Sequence, residues 1–173
     1  PETLLGGELG LAYAPPASVF ADRASSSLAL RATVYENHLS DAVANVTLDP
    51  ATRERHNLDS TRVRGLELGG RFSPATLPSL RLDFDYLLSD ARVRSAGASA
   101  GPAAAALDGR RLAQVPRHTL AVGATWQATP ALALDLTTRW TSAQFEDDLN
   151  TLRLAPASRT DLAVSYALTP RLR

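Results

Sequence analysis

Seven segments of about ten residues, each with alternating apolar and polar side chains, constrain the fold of this chain more than any other feature. In the clearest one, Leu80, Leu82, Phe84, Tyr86 and Leu88 alternate with Arg81, Asp83 and Asp85. Successive side chains of a strand point to opposite faces, so each segment predicts a strand with one apolar and one polar face. The other six are Gly7–Tyr13, Leu28–Tyr35, Leu66–Phe72, Leu120–Trp126, Leu132–Trp140 and Leu162–Leu168. No stretch has a sustained 3.6 period, so the pattern predicts an all-β chain.

The connections between these segments are of two kinds, and the two kinds alternate. Short turns containing proline follow Tyr13, Phe72, Trp126 and Tyr166. Proline fits a turn because it fixes φ and cannot donate to a strand ladder. The other connections are longer and more polar, and they cover residues 37–61, 93–117 and 145–158. Short turns at one end and long loops at the other are typical of transmembrane barrels, whose extracellular loops are the long ones.

Aromatic residues mark both ends of the predicted strands. Tyr13, Phe72, Trp126 and Tyr166 precede the short turns and share the apolar parity, while Tyr86 and Trp140 lie near the long loops. Tyr35 also lies near a long loop but has the polar parity. Amphipathic rings gather at the two membrane–water interfaces. The pattern therefore favours lipid as the contact of the apolar face over the second layer of a soluble sandwich.

The opposite face carries charges of both signs on neighbouring predicted strands. Its members are Arg31, Glu67, Arg71, Arg81, Asp83, Asp85, Asp135, Arg139 and Asp161. Opposite charges can pair across a sheet. A small eight-stranded barrel fills its interior with packed side chains, whereas this much inward charge suits a wider barrel that holds water or a plug domain.

Composition excludes several classes of function. No run approaches eighteen apolar residues, so a transmembrane helix is not expected. The formal net charge is zero and there is no basic face for nucleic acid. Cysteine is absent, which excludes disulfides, thiolate nucleophiles and cysteine-ligated metals. Methionine is also absent and the chain begins at Pro1, which indicates an internal piece of a longer polypeptide.

Five short motifs, in order along the chain, resemble those of TonB-dependent outer-membrane receptors. Pro1-Glu2-Thr3 followed by Gly7-Glu8-Leu9-Gly10 is similar to the family's "PET…E-x-G" strand, and Arg64 to Leu68 to its "GVE" strand. The segment from Leu107 to His118 resembles its "G-R-R-L…V-P-R-H" loop. The segment from Gln144 to Thr151 resembles its "D-D-x-N-T" loop, and Thr160-Asp161-Leu162 the strand that follows.

The resemblance implies a section of about seven to eight antiparallel, up-and-down strands from a 22-stranded transmembrane barrel. It implies that residues 1–173 form a partial barrel domain that lacks the plug domain, the segment contacting the TonB complex and the terminal strand. It further implies residence in the outer membrane of a Gram-negative bacterium, with lipid, plug domain, TonB complex and a small-molecule ligand as partners. The transported ligand would be a ferric siderophore, or alternatively haem or cobalamin, and no resident cofactor is expected.

Few residues suggest a site. Arg110, Arg111, Arg117 and His118 are candidates for contact with an anionic ligand, because guanidinium groups suit carboxylate or catecholate oxygens. A structural role at the junction of loop and strand is the alternative for His118. Glu146, Asp147 and Asp148 could hold a hard cation or form a solvated loop that pairs with the arginines. No metal-ligand spacing links the histidines, and nothing places a nucleophile beside a base, so no enzyme is expected.

The sequence thus predicts an active-transport receptor that captures its ligand with the long loops and releases it through a lumen opened by the plug. Two alternatives stay open at this stage. One is a passive, porin-like channel without a plug, and the other is a soluble β-sandwich binding module.

Overall fold

A computed structural model describes residues 2–15, 26–49, 52–97 and 105–168; for 42–49 and 53–57 it describes the backbone alone. Seven long strands form one sheet: β1 (Thr3–Tyr13), β2 (Ser27–Asp49), β3 (Thr52–Ser73), β4 (Leu80–Ser95), β5 (His118–Gln127), β6 (Leu132–Thr141) and β9 (Ala157–Tyr166). A second, two-stranded sheet joins β7 (Gln144–Phe145) to β8 (Arg153–Leu154) within the last long loop. Among the described residues, no helix is long and apolar enough to cross a membrane.

The long strands follow one another across the sheet in chain order. Each pairs antiparallel with the next, in the order β1-β2-β3-β4-β5-β6-β9. This is an up-and-down meander, so the seven predicted strands and their topology are confirmed. A sandwich would divide these strands between two packed sheets, so the soluble β-sandwich was the wrong architecture.

One face of the sheet is apolar along rows that cross several strands. One row joins Leu28, Phe72, Leu82, Ala124, Leu136 and Leu162 in register. These side chains are not packed under a second layer, since Leu136 is 43% exposed and Leu162 is 68% exposed. Monomeric soluble proteins rarely expose a contiguous apolar surface of this extent. The sheet therefore has an apolar face that an environment outside the described chain must cover.

The opposite face is charged, and its charges pair between strands. Arg71 on β3 donates to Asp83 on β4 at 2.7 Å, and Arg81 donates to the same carboxylate at 3.0 Å. Arg31 on β2 bonds Asp85 on β4, two strands away. It crosses β3 at Gly69, its register partner, where a Cβ would lie 2.6 Å from the Arg31 guanidinium carbon. The predicted cross-strand pairing of this polar face is thus present.

The short turns and long loops fall at opposite ends of the sheet. Residues 74–79 join β3 to β4, with the Leu77 amide donating to the Pro74 carbonyl, and residues 128–131 join β5 to β6. The described residues of the longer connections, 96–97, 105–117 and 142–156, lie at the other end. Tyr13, Phe72, Trp126 and Tyr166 end or nearly end their strands at the short-turn end. The predicted turns after Tyr13 and Tyr166 extend beyond the described residues, as does the part of the predicted loop 93–117 that covers residues 98–104.

Two boundaries differ from the prediction. Residues 37–61 were expected to form a polar loop, but β2 and β3 continue through them as a paired ribbon as far as Asp49 and Thr52. Strand β4 likewise continues past Leu88 to Ser95. A strand has alternating apolar and polar residues when one of its faces is buried and the other is wet. A ribbon with water on both faces can form strands without that alternation. Loss of the alternation at Tyr35 therefore marked the end of the apolar face and not the end of the strand.

The two outermost strands have one unpaired edge each within the described residues. Strand β1 pairs with β2 alone and β9 pairs with β6 alone, and every residue of both strands is exposed. An open edge in hydrocarbon leaves amide and carbonyl groups without hydrogen bonds. The sheet is therefore suited to a wider barrel in which further strands continue from β1 and β9.

Candidate functional site at the loop end of the sheet

The loop between β4 and β5 lies along β4 and extends its ladder. The Val93 amide donates to the Arg110 carbonyl at 3.0 Å, and the Leu112 amide donates to the Ala91 carbonyl at 3.0 Å. Closer to β5, the Ser89 amide donates to the Arg117 carbonyl at 2.8 Å. The segment 109–117 is thus held in place by backbone bonds to β4.

A small hydrophobic core supports this end of the sheet. Leu58, Val93, Ala96 and Leu107 are all less than 5% exposed and pack together, with Leu112 and Leu149 against them. These residues come from β3, β4 and both long loops. Burying a leucine side chain contributes about 2 kcal/mol. The core therefore fixes the two loops to each other and to the strands.

Asn150 joins the two long loops through the backbone of Arg111. Its side-chain Oδ1 accepts from the Arg111 amide at 2.8 Å, and its Nδ2 donates to the Arg111 carbonyl at 2.9 Å. The pair of bonds resembles the exchange between two neighbouring strands. Asn150 has a φ of +59°, a conformation that asparagine tolerates better than most residues. The asparagine of the "D-D-x-N-T" motif therefore has a structural role.

Asp147 holds the turn that presents Asn150. It is buried, and its carboxylate accepts from the Thr151 hydroxyl at 2.7 Å, the Thr151 amide at 3.0 Å and the Leu152 amide at 2.7 Å. Burial alone would raise the pKa of this carboxyl, but the bonds from Leu152 and Thr151 outweigh it and lower the pKa below its usual value. The charged form of Asp147 thus stabilises the folded loop.

We expect Asp147→Asn in the full-length receptor to loosen residues 142–156 by about 2 kcal/mol, because a neutral amide oxygen cannot replace a carboxylate that accepts three bonds. A pKa lowered by folding adds stability above the ordinary value of 3.8, and that stability is lost as the pH falls through the lowered value. The wild-type loop should therefore open in acid, and the loop of the Asp147→Asn variant should have lost this pH dependence.

Hydrogen exchange of the peptide 142–156, corrected for the intrinsic effect of pH, measures this opening. Glu146→Gln is the matched control, because Glu146 is exposed and accepts a single bond from Gln114 at 3.1 Å. Equal protection in Asp147→Asn and wild type at neutral pH would contradict the assigned role.

The four residues predicted to contact an anionic ligand do not form one site. The Arg110 side chain is exposed and donates to the Ala106 carbonyl of its own loop at 3.3 Å. His118 bonds the Tyr86 hydroxyl through Nδ1 at 2.8 Å, and their rings stack. Its backbone also bonds Ser142 in both directions. His118 thus has the junction role given above as the alternative, and its contact with a ligand stays a prediction, as it does for the arginines.

Arg111 and Arg117 belong to a larger group of arginines, which we name the arginine patch. Its members are Arg62, Arg64, Arg92, Arg111 and Arg117, together with the carboxylates of Glu36 and Asp90. Asp90 accepts from Arg92 at 2.8 Å and pairs with Arg64 at 3.4 Å. Burial lowers the pKa of Arg111, and the neighbouring charges of Arg117 and Arg92 lower it further while Asp90 raises it.

The strand register assigns four of the five arginines of this patch to the apolar face of the sheet, whereas Arg117 has the parity of Ser89 and joins the patch through the pocket that it lines with Arg64 and Asp90. Leu66 pairs with Leu88, Arg64 pairs with Asp90, and Arg62 pairs with Arg92, each one alternation further along. Arg111 stands opposite Arg92 in an antiparallel bridge and so has the same parity. Arg110, one residue earlier, has the opposite parity. Arg111 and His118 therefore lie on the side of Leu66 and Tyr86, and not on the charged face that Arg31 and Asp85 occupy.

The acidic cluster and the histidines form no metal centre in the described part of the chain. Groups of three or more histidine and acidic side chains able to hold a metal ion are absent there. The Asp147 carboxylate instead accepts hydrogen bonds from its own turn, and the Glu146 carboxylate accepts one from Gln114. His38 bonds Glu36 at 2.8 Å. The side chain of His56 lies outside the described residues.

Sequence reasoning missed Arg64, Arg92 and Asp90 as members of a site. The reason is that the alternating segments were taken to begin at Leu66 and to end at Leu88, so the parity of the residues just outside them was not followed. Continuing the alternation of β4 by two and then four residues past Leu88 would have found Asp90 and Arg92 on the leucine side. The junction of Asn150 with Arg111 carried no such signal, because it joins two loops.

The geometry is that of part of a transmembrane β-barrel of the outer-membrane type. The sheet has an apolar face and a charged face, with short turns at one end and long, hydrogen-bonded loops at the other. The sequence matches the family model described as TonB dependent receptor-like, beta-barrel, over residues 1–173. The chain therefore belongs to the TonB-dependent receptor family, which is one of transport receptors. A comparison with curated protein sequences finds no match.

Solved structures with the same fold are receptors of this kind. The chain is similar to the ferric yersiniabactin uptake receptor FyuA from Yersinia pestis, with 19% identity and a TM-score of 0.71 over 98% of this chain and 23% of that one. The chain is also similar to the ferric citrate transporter FecA, with 22% identity and a TM-score of 0.73 over 99% of this chain and 24% of that one. With the copper transporter OprC it has 17% identity and a TM-score of 0.72 over 98% of this chain and 24% of that one. The chain thus spans about a quarter of these relatives.

Proposed function

We propose that the protein containing this chain is an outer-membrane receptor that takes up a ferric siderophore with energy supplied by the TonB complex. The observation that carries the proposal is a single sheet with a continuous apolar face and a continuous, ion-paired charged face, in a chain that belongs to the TonB-dependent receptor family throughout. Hydrocarbon covers the first face in this proposal, and the second lines a wet lumen that holds the plug domain.

The charged face supports a lumen in which a plug can move. Its arginines and aspartates neutralise one another within the sheet, as Arg71 and Asp83 do, and they remain exposed enough to exchange these partners for groups on a plug. Exposed ion pairs contribute only about 0–1 kcal/mol each. Such contacts are weak enough to break one by one when the TonB complex pulls on the plug.

Ligand capture in this proposal belongs to the loop end. Arg110 has the parity of the charged face, and its guanidinium is exposed there. A ferric siderophore is anionic or presents carboxylate or catecholate oxygens, which guanidinium groups bind well. The similar receptors FyuA and FecA take up ferric yersiniabactin and ferric citrate, which supports this ligand class over haem and cobalamin.

Growth on defined iron sources tests the proposal. A strain that lacks the full-length receptor should fail on one ferric siderophore and recover when the gene is restored, and recovery should disappear when TonB is deleted. Haem and cobalamin serve as parallel sources. Uptake that persists without TonB would support the passive, porin-like channel and would refute active transport.

Arg110→Ala tests the capture site within the same receptor. It should weaken binding of the ferric siderophore by roughly tenfold, the loss expected for one charge-assisted hydrogen bond. Arg111→Ala is the matched control, because the neighbouring side chain has the opposite parity. Equal affinity for wild type and Arg110→Ala would remove Arg110 from the capture site without affecting the growth result.

A further inference from the structure

We infer that the arginine patch binds the phosphate-bearing headgroup of a lipid in the leaflet that surrounds the loop end of the barrel. The inference rests on the proposed membrane residence. It starts from the parity of the patch, because charged side chains on the lipid side of a barrel are expected only where the hydrocarbon ends.

The position of the patch agrees with that boundary. The apolar face of β4 runs for nine residues from Leu80 to Leu88, and a tilted strand of about 9–11 residues crosses the hydrocarbon. Tyr86 and His118 form a polar ring pair near the end of this band, where aromatic belts occur. Asp90 and Arg92 follow at the next two positions of the same parity. The patch therefore begins where headgroups replace acyl chains.

The charge of the patch favours an anion. It contains five guanidinium groups and two carboxylates, so its net charge is +3, whereas the formal net charge of the whole chain is zero. The side chains of Arg64 and Arg92 are 53% and 38% exposed, whereas Asp90 is 16% exposed. The carboxylate is thus the inner member, and guanidinium groups form the outer surface. Planar guanidinium groups bind phosphate oxygens in pairs.

A pocket in the patch has the amphipathic lining that a lipid requires. It is lined by the apolar side chains of Leu66 and Leu88, by Tyr35 and Gly65, and by the charged residues Glu36, Arg64, Asp90 and Arg117. A free anion would use only the charged part of this pocket. A lipid would place its phosphate among the arginines and the start of an acyl chain against the two leucines. The lining therefore favours a membrane lipid over a soluble phosphate.

Lipid retention by the full-length receptor tests the inference. The receptor is inserted into phosphatidylcholine vesicles that contain either phosphatidic acid or diacylglycerol with the same acyl chains, extracted in mild detergent, and analysed by native mass spectrometry. Wild type should retain phosphatidic acid and not diacylglycerol. The double variant Arg62→Gln/Arg111→Gln should retain at least roughly tenfold less, since it removes two guanidinium groups that have the parity of the apolar face. This variant leaves Asp90 with Arg64 and Arg92.

Arg139→Gln is the control, because Arg139 lies on the charged face in register with Ala121 of β5. It should retain phosphatidic acid as wild type does, and an excess of inorganic phosphate should not displace the lipid. Equal retention by the double variant, equal loss in Arg139→Gln, or displacement by inorganic phosphate would each overturn the inference. Failure of the receptor to insert into vesicles would refute the proposed membrane residence. If the receptor inserts but does not retain phosphatidic acid in preference to diacylglycerol, only the headgroup site is refuted.

Discussion

Gly65→Ala should lower the free energy of unfolding of the full-length receptor by about 3 kcal/mol, the upper part of the range for an overpacked site. Gly65 lies between Tyr35 and Ser89 in the register of β2, β3 and β4. A Cβ there would overlap the carbonyl oxygen of Leu88 and lie 2.5 Å from the Tyr35 hydroxyl oxygen. The Tyr35 ring could turn aside, but the Leu88 carbonyl belongs to the backbone of β4, which is hydrogen-bonded along its length. Relief therefore requires β3 and β4 to separate locally.

Gly123→Ala provides the matched control on β5. The nearest atoms to a Cβ there are the Leu136 carbonyl oxygen at 3.7 Å and the Thr137 hydroxyl oxygen at 3.9 Å, both ordinary contacts. Alanine at this position should be neutral or slightly stabilising, because it restricts the unfolded chain more than glycine does. Urea unfolding of both variants in vesicles, followed by tryptophan fluorescence, measures the difference. Equal midpoints for the two variants would mean that the crowding around Gly65 has no energetic consequence.

The same comparison explains why Gly65 could not be distinguished from Gly123 in the sequence. Gly65 directly precedes the alternating segment Leu66–Phe72 and Gly123 lies within Leu120–Trp126, and nothing in either strand says which side chain a neighbouring strand will place over the glycine. The segments themselves were predictable, because lipid on one side and polar contents on the other impose a period of two. This is why Leu80–Leu88 and Leu132–Trp140 could be assigned to strands and faces without coordinates.

The loop end obeys no such period, and its features depend on contacts between distant segments. Asn150 meets the backbone of Arg111, and Leu149 packs near Leu107, across sequence separations that no local pattern records. The "D-D-x-N-T" resemblance located the turn but left its purpose open between a cation site and a solvated loop. The geometry of Asp147 indicates a structural turn, since its carboxylate accepts hydrogen bonds from Thr151 and Leu152.

Leu136→Arg should destabilise the inserted receptor by about 2–4 kcal/mol, the penalty for a cation at the midplane of the lipid face of a barrel. Leu136 is the central residue of the apolar alternation of β6 and stands in register with Ala124 and Leu162. It is 43% exposed, so the protein itself leaves room for a longer side chain. The penalty would then come from the surroundings of the sheet and not from a collision within it.

Thr137→Arg is the control, one residue further along β6 and also exposed. It lies on the charged face, in register with Asp161 of β9, so a new guanidinium would meet water and a carboxylate. We expect a change of less than about 1 kcal/mol for this variant, since exposed ion pairs contribute little. A soluble protein with two wet faces would tolerate both arginines equally. A large penalty for Leu136→Arg with none for Thr137→Arg therefore measures the asymmetry between hydrocarbon and lumen from which the transport proposal and the headgroup site both follow.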